Sequence, residues 1–209
     1  MAASLPLFEL APAAQRDWLA HRLALPAPPS ARGLSDGFLL PGREGRRTPA
    51  AVLVPLVNRD AGLTVLLTQR SDTLPDHPGQ ISFPGGRVDP CDTTPEDCAL
   101  REAQEEVGLS PRRVTLLGRL APYETVTGFA VTPVVGWVEP PFDLVPDPVE
   151  VADVFEVPLS FLLEPANQQK HFRMIGDLRR DYFAIPYAER YIWGATAAML
   201  MILDRTLRG

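Results

Sequence analysis

Residues 94 to 108 constrain the fold of this chain more than any other segment, because they carry the start and stop signals of one helix. Thr94 is suited to cap the helix, Pro95 to occupy its first turn, and Asp97 to complete a capping box with Thr94. Gly108 supplies the left-handed residue at which such a helix ends. The apolar residues between these signals predict a buried stripe, namely Ala99, Leu100, Ala103 and Val107. The glutamates of this helix are therefore expected to face outward from that stripe, towards whatever lies above the glycine loop.

The same helix carries three glutamates, Glu102, Glu105 and Glu106, beside Arg101. Glutamates three and four residues apart have Cβ atoms about 5–6 Å from each other and repel one another. A hard divalent cation such as Mg²⁺ or Mn²⁺, which prefers carboxylate oxygens, would reverse that repulsion. For a Glu-x-x-Glu-Glu pattern alone, an ordinary solvated acidic face is the simpler interpretation, so the flanking residues have to decide.

The flanking residues place the glutamates in a longer motif. Gly86, Arg101, Gly108 and Leu109 accompany them in an order that resembles the Nudix box of hydrolases acting on nucleoside-diphosphate-linked compounds. The general pattern has a glutamate after five residues and arginine after seven more, whereas this chain has Asp92 and a gap of eight. The resemblance implies a Nudix-type α/β/α sandwich with a mixed β-sheet, an α/β class that the predicted strands and helices also favour.

A second series lies upstream of the box. It comprises Leu66-Leu67-Thr68-Gln69-Arg70-Ser71, then Leu74, His77, Gly79-Gln80-Ile81-Ser82-Phe83-Pro84-Gly85-Gly86 and Asp89-Pro90. This series resembles the coenzyme A pyrophosphatase branch of the Nudix family, and residues 191–197 are similar to a segment of the same branch. The branch also has the aspartate and the extra residue before Arg-Glu, so the departure at Asp92 is expected. The resemblance covers roughly residues 48 to 203.

The metal-site prediction comprises Glu102 and Glu106, one helical turn apart, with Glu105 and, as the resemblance implies, the carbonyl of Gly86. Glu105 either completes the metal set or activates the attacking water. Arg101 is predicted to orient the carboxylates through paired hydrogen bonds, a plain surface salt bridge being the alternative. The implied cofactor is Mg²⁺ or Mn²⁺.

Four residues upstream of the box are candidates for substrate binding: Arg70, His77, Gln80 and Phe83. Arg70, at the end of an apolar strand, is able to bind phosphate through two hydrogen bonds, although a solvated strand end is the alternative. His77 is a candidate because the resemblance implies it. For Phe83 the alternative is a position in the hydrophobic core.

Three further assignments complete the candidate site. Asp92 is either an acid near the positive end of the helix dipole or an outer metal ligand. Glu124 is a reserve candidate for the base. Tyr191 and Trp193 are predicted to pack against neighbouring residues, with stacking on a nucleotide base as the alternative.

The chain is divided into an N-terminal segment, 1–47, packed on a Nudix domain, 48–209, with the box at 86–109. A short helix is predicted over 12–24, an irregular segment over 25–48, and a β-hairpin from strands 51–57 and 64–67. The segment 71–94 has little periodicity and is predicted to be a functional loop. Further strands are predicted at 113–120, 131–138, 153–157 and 181–185, with a final helix over 190–206.

The formal charge of −6 argues against a nucleic-acid binder, and an acidic enzyme with an anionic substrate must concentrate its arginines locally. Cys91 and Cys98 have no disulfide or metal spacing and are predicted to be free thiols. The N-terminus does not have the pattern of a secretory signal, and the longest apolar run, 191–203, is too short to span a bilayer. The expected location is the cytoplasm, without a membrane partner; the oligomeric state stays open.

The predicted function is metal-dependent hydrolysis of a small-molecule substrate, coenzyme A or a derivative, to 4′-phosphopantetheine and adenosine 3′,5′-bisphosphate, as the resemblance implies. One alternative is another diphosphate substrate, such as ADP-ribose, NADH or a dinucleoside polyphosphate. The other is a non-catalytic, nucleotide-binding regulator. The regulator is disfavoured because all three box glutamates are retained and no basic helix-turn-helix is visible.

Overall fold

The computed structural model describes residues 5–37, 45, 47–176 and 178–209, so part of the predicted irregular segment, 38–44 and 46, lies outside the described residues. The helices are α1 (Pro12–Ala24), α2 (Pro95–Val107), α3 (Leu159–Leu162) and α4 (Ala195–Arg208). The strands are β1 (Thr48–Arg59), β2 (Gly62–Arg70), β3 (Ile81–Ser82), β4 (Gly85–Arg87), β5 (Val114–Arg119), β6 (Tyr123–Glu124), β7 (Phe129–Val138), β8 (Val151–Pro158), β9 (Gln169–Ile175), β10 (Leu178–Tyr187) and β11 (Arg190–Trp193).

The main sheet is mixed and is organised around β1. This strand pairs in parallel with β7 and antiparallel with β2 and β4. Strands β3 and β8 extend the sheet from β2, and β5 and β6 pair with β7. A second, antiparallel sheet has the order β11-β10-β9. Because the parallel β1–β7 pair is covered on both faces, its side chains are apolar in both directions.

Two hydrophobic cores lie on opposite faces of the main sheet. On one face, Leu53 and Val57 of β1 belong to the same buried cluster as the apolar stripe of α2. On the other, Val54 and Leu56 belong to a larger cluster that contains residues of α1 and α4. Each fully buried Val or Leu stabilises the fold by about 1.5–3 kcal/mol. The predicted α/β/α sandwich with a mixed sheet is confirmed.

Most predicted elements occur in the structure, with longer strands. The helix over 12–24 is α1, and the predicted hairpin is the antiparallel pair β1–β2. Leu19 and Leu23 of α1 lie in the larger core, so the N-terminal segment contributes to that core. The strands predicted within 113–120, 131–138, 153–157 and 181–185 correspond to β5, β7, β8 and β10.

Three details of the prediction were wrong. The segment 71–94 contains β3 and β4, which pair through their backbones although their side chains have no strand periodicity. The final helix begins at Ala195 rather than at 190, because residues 190–193 form β11 and pair with β10. In α2 the fully buried side chain at the start of the stripe is Cys98, whereas Leu100 is only half-buried.

Cys91 is exposed and Cys98 buried, and both are free, as predicted. Within the part of the chain that the structure describes, no helix combines the length and the apolar character needed to cross a bilayer.

Candidate active site

The ends of α2 are held by the predicted local signals. The side chain of Thr94 accepts a hydrogen bond from the Asp97 amide at 3.2 Å, and Asp97 Oδ2 accepts one from the Thr94 amide at 2.9 Å. Gly108 ends the helix with φ of 71°. These contacts satisfy amides that the first turn would otherwise leave unpaired, so they determine where the helix begins along the chain.

Strand β4 brings the glycine pair against this helix. Gly85, Gly86 and Arg87 pair antiparallel with Val52, Ala51 and Ala50 of β1. A Cβ atom built on Gly86 would lie 2.5 Å from Cδ and Oε1 of Glu102, closer than real contacts allow. The carboxylate of Glu102 therefore occupies space that is open only because residue 86 has no side chain.

Glu106 lies deeper than Glu102 in the same crevice. Only 5% of Glu106 is exposed, and its Oε2 accepts a hydrogen bond from the Gly85 amide at 3.3 Å. Burial, followed by the negative charge of Glu102, raises the pKa of Glu106 to about 8. Burial also raises the pKa of Glu102, against the opposing effect of Arg101. Glu106 thus faces away from the apolar stripe and towards the glycine pair, as predicted, and it is buried there.

Arg101 connects the remaining acids of the box. Its Nε and Nη2 donate to the two oxygens of Asp92 at 3.0 and 2.9 Å, while Nη1 donates to Glu102 and Glu105 at 2.9 and 2.8 Å. The hydrogen bonds from Arg101 contribute most to lowering the pKa of Asp92 to about 2. A two-pronged pair with Asp92 fixes the plane of the guanidinium group, so its third nitrogen is held against two glutamates.

The oxygen donors suit a hard divalent cation, although they are not gathered into a finished ligand set. Among the residues that the structure describes, no group of three His, Cys, Asp or Glu side chains has the spacing to hold a metal ion. The side chain of Glu105 is 60% exposed and contacts Arg101. The half-buried Glu102 and the buried Glu106 nevertheless lie one helical turn apart, Glu102 against Gly86 and Glu106 against the Gly85 amide. A cation there would offset both their mutual repulsion and the penalty of burial.

A cavity of about 570 Å³ adjoins this acidic crevice at Gly85 and Gly86. The four candidate substrate residues all line it, namely Arg70, His77, Gln80 and Phe83. The Arg70 amide donates to the Gln80 carbonyl at 2.9 Å, which closes the loop 71–80 back on β2. Phe83 is also part of the larger core, which was its alternative position, and its role in substrate binding stays a prediction. The structure thus brings together residues up to thirteen positions apart in the sequence.

The cavity also has wall residues that the sequence did not single out. Trp193, for which the sequence favoured packing over nucleotide stacking, lines it, as do Arg87 of β4, Arg173 of β9 and Arg180 of β10. With Arg70, these make four arginines on the wall of a cavity in a chain with formal charge −6. Recognition of β9 as the partner of β10 would have shown that Arg173 and Arg180 are opposite each other.

The other reserve candidates lie elsewhere. Glu124 forms an ion pair with Arg47 at 2.8 Å and is not among the residues that line the cavity. Tyr191 is 44% exposed and is not among the residues that line the cavity.

The chain is similar in sequence to known proteins of one family. A family model described as the NUDIX domain matches residues 47–178. A protein of Photorhabdus laumondii named uncharacterized Nudix hydrolase NudL is 40% identical over 183 residues, covering 86% of this chain and 91% of that protein. A protein of the same name from Citrobacter koseri is 44% identical over 160 residues, covering 76% and 82%. Among solved structures, the Nudix hydrolase RenU of M. smegmatis aligns with a TM-score of 0.47 and 27% identity, covering 55% of this chain and 73% of RenU.

Proposed function

This chain belongs to the Nudix hydrolase family, which acts on nucleoside diphosphate derivatives, and we propose that its substrate is coenzyme A or a coenzyme A derivative. Hydrolysis of the diphosphate would release 4′-phosphopantetheine and adenosine 3′,5′-bisphosphate. The observation that carries the proposal is the cavity that joins the acidic crevice to Arg70, His77, Gln80 and Phe83. Those four residues belong to the series that resembles the coenzyme A pyrophosphatase branch.

The proposed metal-binding groups are the carboxylates of Glu102, Glu106 and Glu105 and the carbonyl of Gly86, which would hold Mg²⁺ or Mn²⁺. When bound, such a cation neutralises charge on the phosphoryl oxygens of the substrate. Two features support the assignment. Glu106 is buried and has no ion pair with an arginine among the described residues, and the backbone of Gly86 comes against the Glu102 carboxylate. Both are oxygen donors of the kind that Mg²⁺ and Mn²⁺ prefer.

The remaining box residues are assigned roles in positioning and proton transfer. Glu105 is the most exposed of the three glutamates, and we assign it as the general base that takes a proton from the attacking water. Arg101 holds Glu102 and Glu105 through Nη1 while Asp92 fixes its guanidinium plane, so it acts as a positioning residue. Arg70, at the cavity wall, is suited to bind a phosphoryl oxygen of the substrate.

The first test is turnover of coenzyme A, ADP-ribose and NADH side by side, with Mg²⁺, with Mn²⁺ and with chelator, and with products identified by mass. We expect metal-dependent release of 4′-phosphopantetheine to be much faster than cleavage of the other two compounds. Faster cleavage of ADP-ribose or NADH would refute the coenzyme A assignment and retain the metal site. Absence of any metal-dependent turnover would favour a nucleotide-binding regulator.

Two variants test the metal assignment directly. Glu102→Gln and Glu106→Gln are expected to abolish turnover while leaving the fold intact, because an amide binds a hard cation more weakly than a carboxylate does. Glu9→Gln, an exposed carboxylate outside the box, is the matched control and is expected to retain full activity. Wild-type kcat in a folded Glu102→Gln variant would contradict the assignment.

A further inference from the structure

Two arginines lie directly opposite each other on the β9–β10 hairpin. Arg173 and Arg180 are register partners in this antiparallel pair, so their side chains project from the same face of the second sheet. Like charges at directly opposed positions destabilise a sheet. Both residues line the cavity described above, and an anion in the cavity would remove the repulsion between them.

Arg180 is buried and held in place. Only 7% of it is exposed, and its Nη2 donates at 2.6 Å to Asp36, which also accepts from the Tyr123 hydroxyl and the Val126 amide. Its Nε is buried and has no hydrogen-bond partner among the described residues. Asp36 neutralises one of the two guanidinium charges, so the pair of arginines keeps a net positive charge. The unpaired Nε of Arg180 is in addition a free hydrogen-bond donor.

Arg173 is the more accessible member of the pair. Its guanidinium group lies 5.5 Å from the centre of the Trp193 ring, and it has no hydrogen bond or ion pair with any residue in the described ranges. The Trp193 ring packs edge-on against Tyr182, with 5.7 Å between the ring centres, and lines the same cavity. An uncompensated guanidinium beside an aromatic face is a combination suited to a phosphate carried by an aromatic nucleoside.

We propose that Arg173 and Arg180 form a second phosphate subsite, which binds a phosphomonoester on the ribose of the substrate rather than the diphosphate that is cut. The diphosphate belongs beside Gly85 and Gly86 of β4, in the main sheet, whereas the two arginines enter the cavity from the second sheet. In this arrangement Trp193 provides a surface for the base. The subsite rests on the proposed function insofar as coenzyme A carries such a 3′-phosphate.

The direct test measures binding, so that it does not depend on turnover. Titration calorimetry with Mg²⁺ would compare adenosine 3′,5′-bisphosphate with adenosine 5′-monophosphate on the wild type, Arg173→Gln and Arg173→Lys. The wild type is expected to bind the bisphosphate about tenfold more tightly, as a charge-assisted hydrogen bond to phosphate allows. Arg173→Gln should lose that preference with little change for the monophosphate, and Arg173→Lys should retain part of it.

Arg179→Gln is the matched control, because Arg179 neighbours Arg180 on the same strand, contacts Asp181 and is not among the cavity residues. Arg180 itself is left unchanged, since its removal would leave Asp36 buried without its ion pair. Three results would overturn the subsite. The wild type would bind the bisphosphate and the monophosphate equally well, Arg173→Gln would weaken the binding of both nucleotides equally, or Arg179→Gln would lose the bisphosphate preference as Arg173→Gln does.

The kinetic counterpart separates this inference from the proposed function. Arg173→Gln is expected to lower kcat/KM for coenzyme A about tenfold and to leave 3′-dephospho-coenzyme A unchanged. Hydrolysis of coenzyme A without any bisphosphate preference would refute the subsite and retain the function. A bisphosphate preference lost in Arg173→Gln, without hydrolysis of coenzyme A, would retain the subsite and refute the substrate.

Discussion

Replacement of Glu106 by glutamine tests whether burial of this carboxyl group opposes folding when no metal is bound. Below pH 4.5, its ordinary pKa, the group is protonated in both the folded and the unfolded chain. Between 4.5 and about 8 the unfolded chain has released the proton while the folded protein retains it. The free energy of unfolding therefore falls as pH rises through this window and levels off above it.

The magnitude follows from the pKa. A rise from 4.5 to about 8 corresponds, at about 1.4 kcal/mol for each pH unit, to a loss of about 5 kcal/mol across the window. That is a large share of the roughly 5–15 kcal/mol by which domains are ordinarily stable. Asp92 has its pKa lowered to about 2, so its stabilising contribution is lost only as pH falls below its ordinary value of 3.8, outside this window.

The assay is urea unfolding at a series of pH values from 5 to 9 with chelator present. The wild type is expected to lose several kcal/mol of stability over this range, and Glu106→Gln to lose much less, because glutamine does not ionise. Glu105→Gln, which removes an exposed carboxylate one position away, should retain the wild-type slope. Equal slopes for the wild type and Glu106→Gln would refute the argument that burial of Glu106 is costly.

Three further substitutions probe the parts of the site. Gly86→Ala places a Cβ 2.5 Å from the Glu102 carboxylate and is expected to weaken Mn²⁺ binding at least about tenfold by titration calorimetry; unchanged affinity would separate Gly86 from the metal site. Arg101→Lys keeps the charge but loses the bidentate contact with Asp92, and should lower the free energy of unfolding in urea by about 1–3 kcal/mol. An unchanged free energy of unfolding would contradict the positioning role of Arg101. Thr94→Ala removes the helix cap and should lower the free energy of unfolding by about 1 kcal/mol without altering KM for the substrate. A raised KM would mean that the cap also affects substrate binding.

Features that depend on neighbours in the chain were predictable. The limits of α2 follow from Thr94, Asp97 and Gly108, which act on amides and carbonyls within a turn of themselves. The β1–β2 hairpin has turn residues between two apolar runs and was predicted for the same reason. The strands β4 and β9 were not predicted, since their pairing depends on partners and is not written in a period-two pattern of their own side chains.

The amino-acid sequence by itself determined which acids share one helix, where that helix starts and stops, and which family the motif resembles. Only the tertiary structure decided that Glu106 is buried against Gly85, and that Arg173 and Arg180 share a cavity wall with Arg70. The physical reason is range: caps and helical spacing act over a few residues, whereas burial, desolvation and the opposition of two charges depend on which distant strands come together.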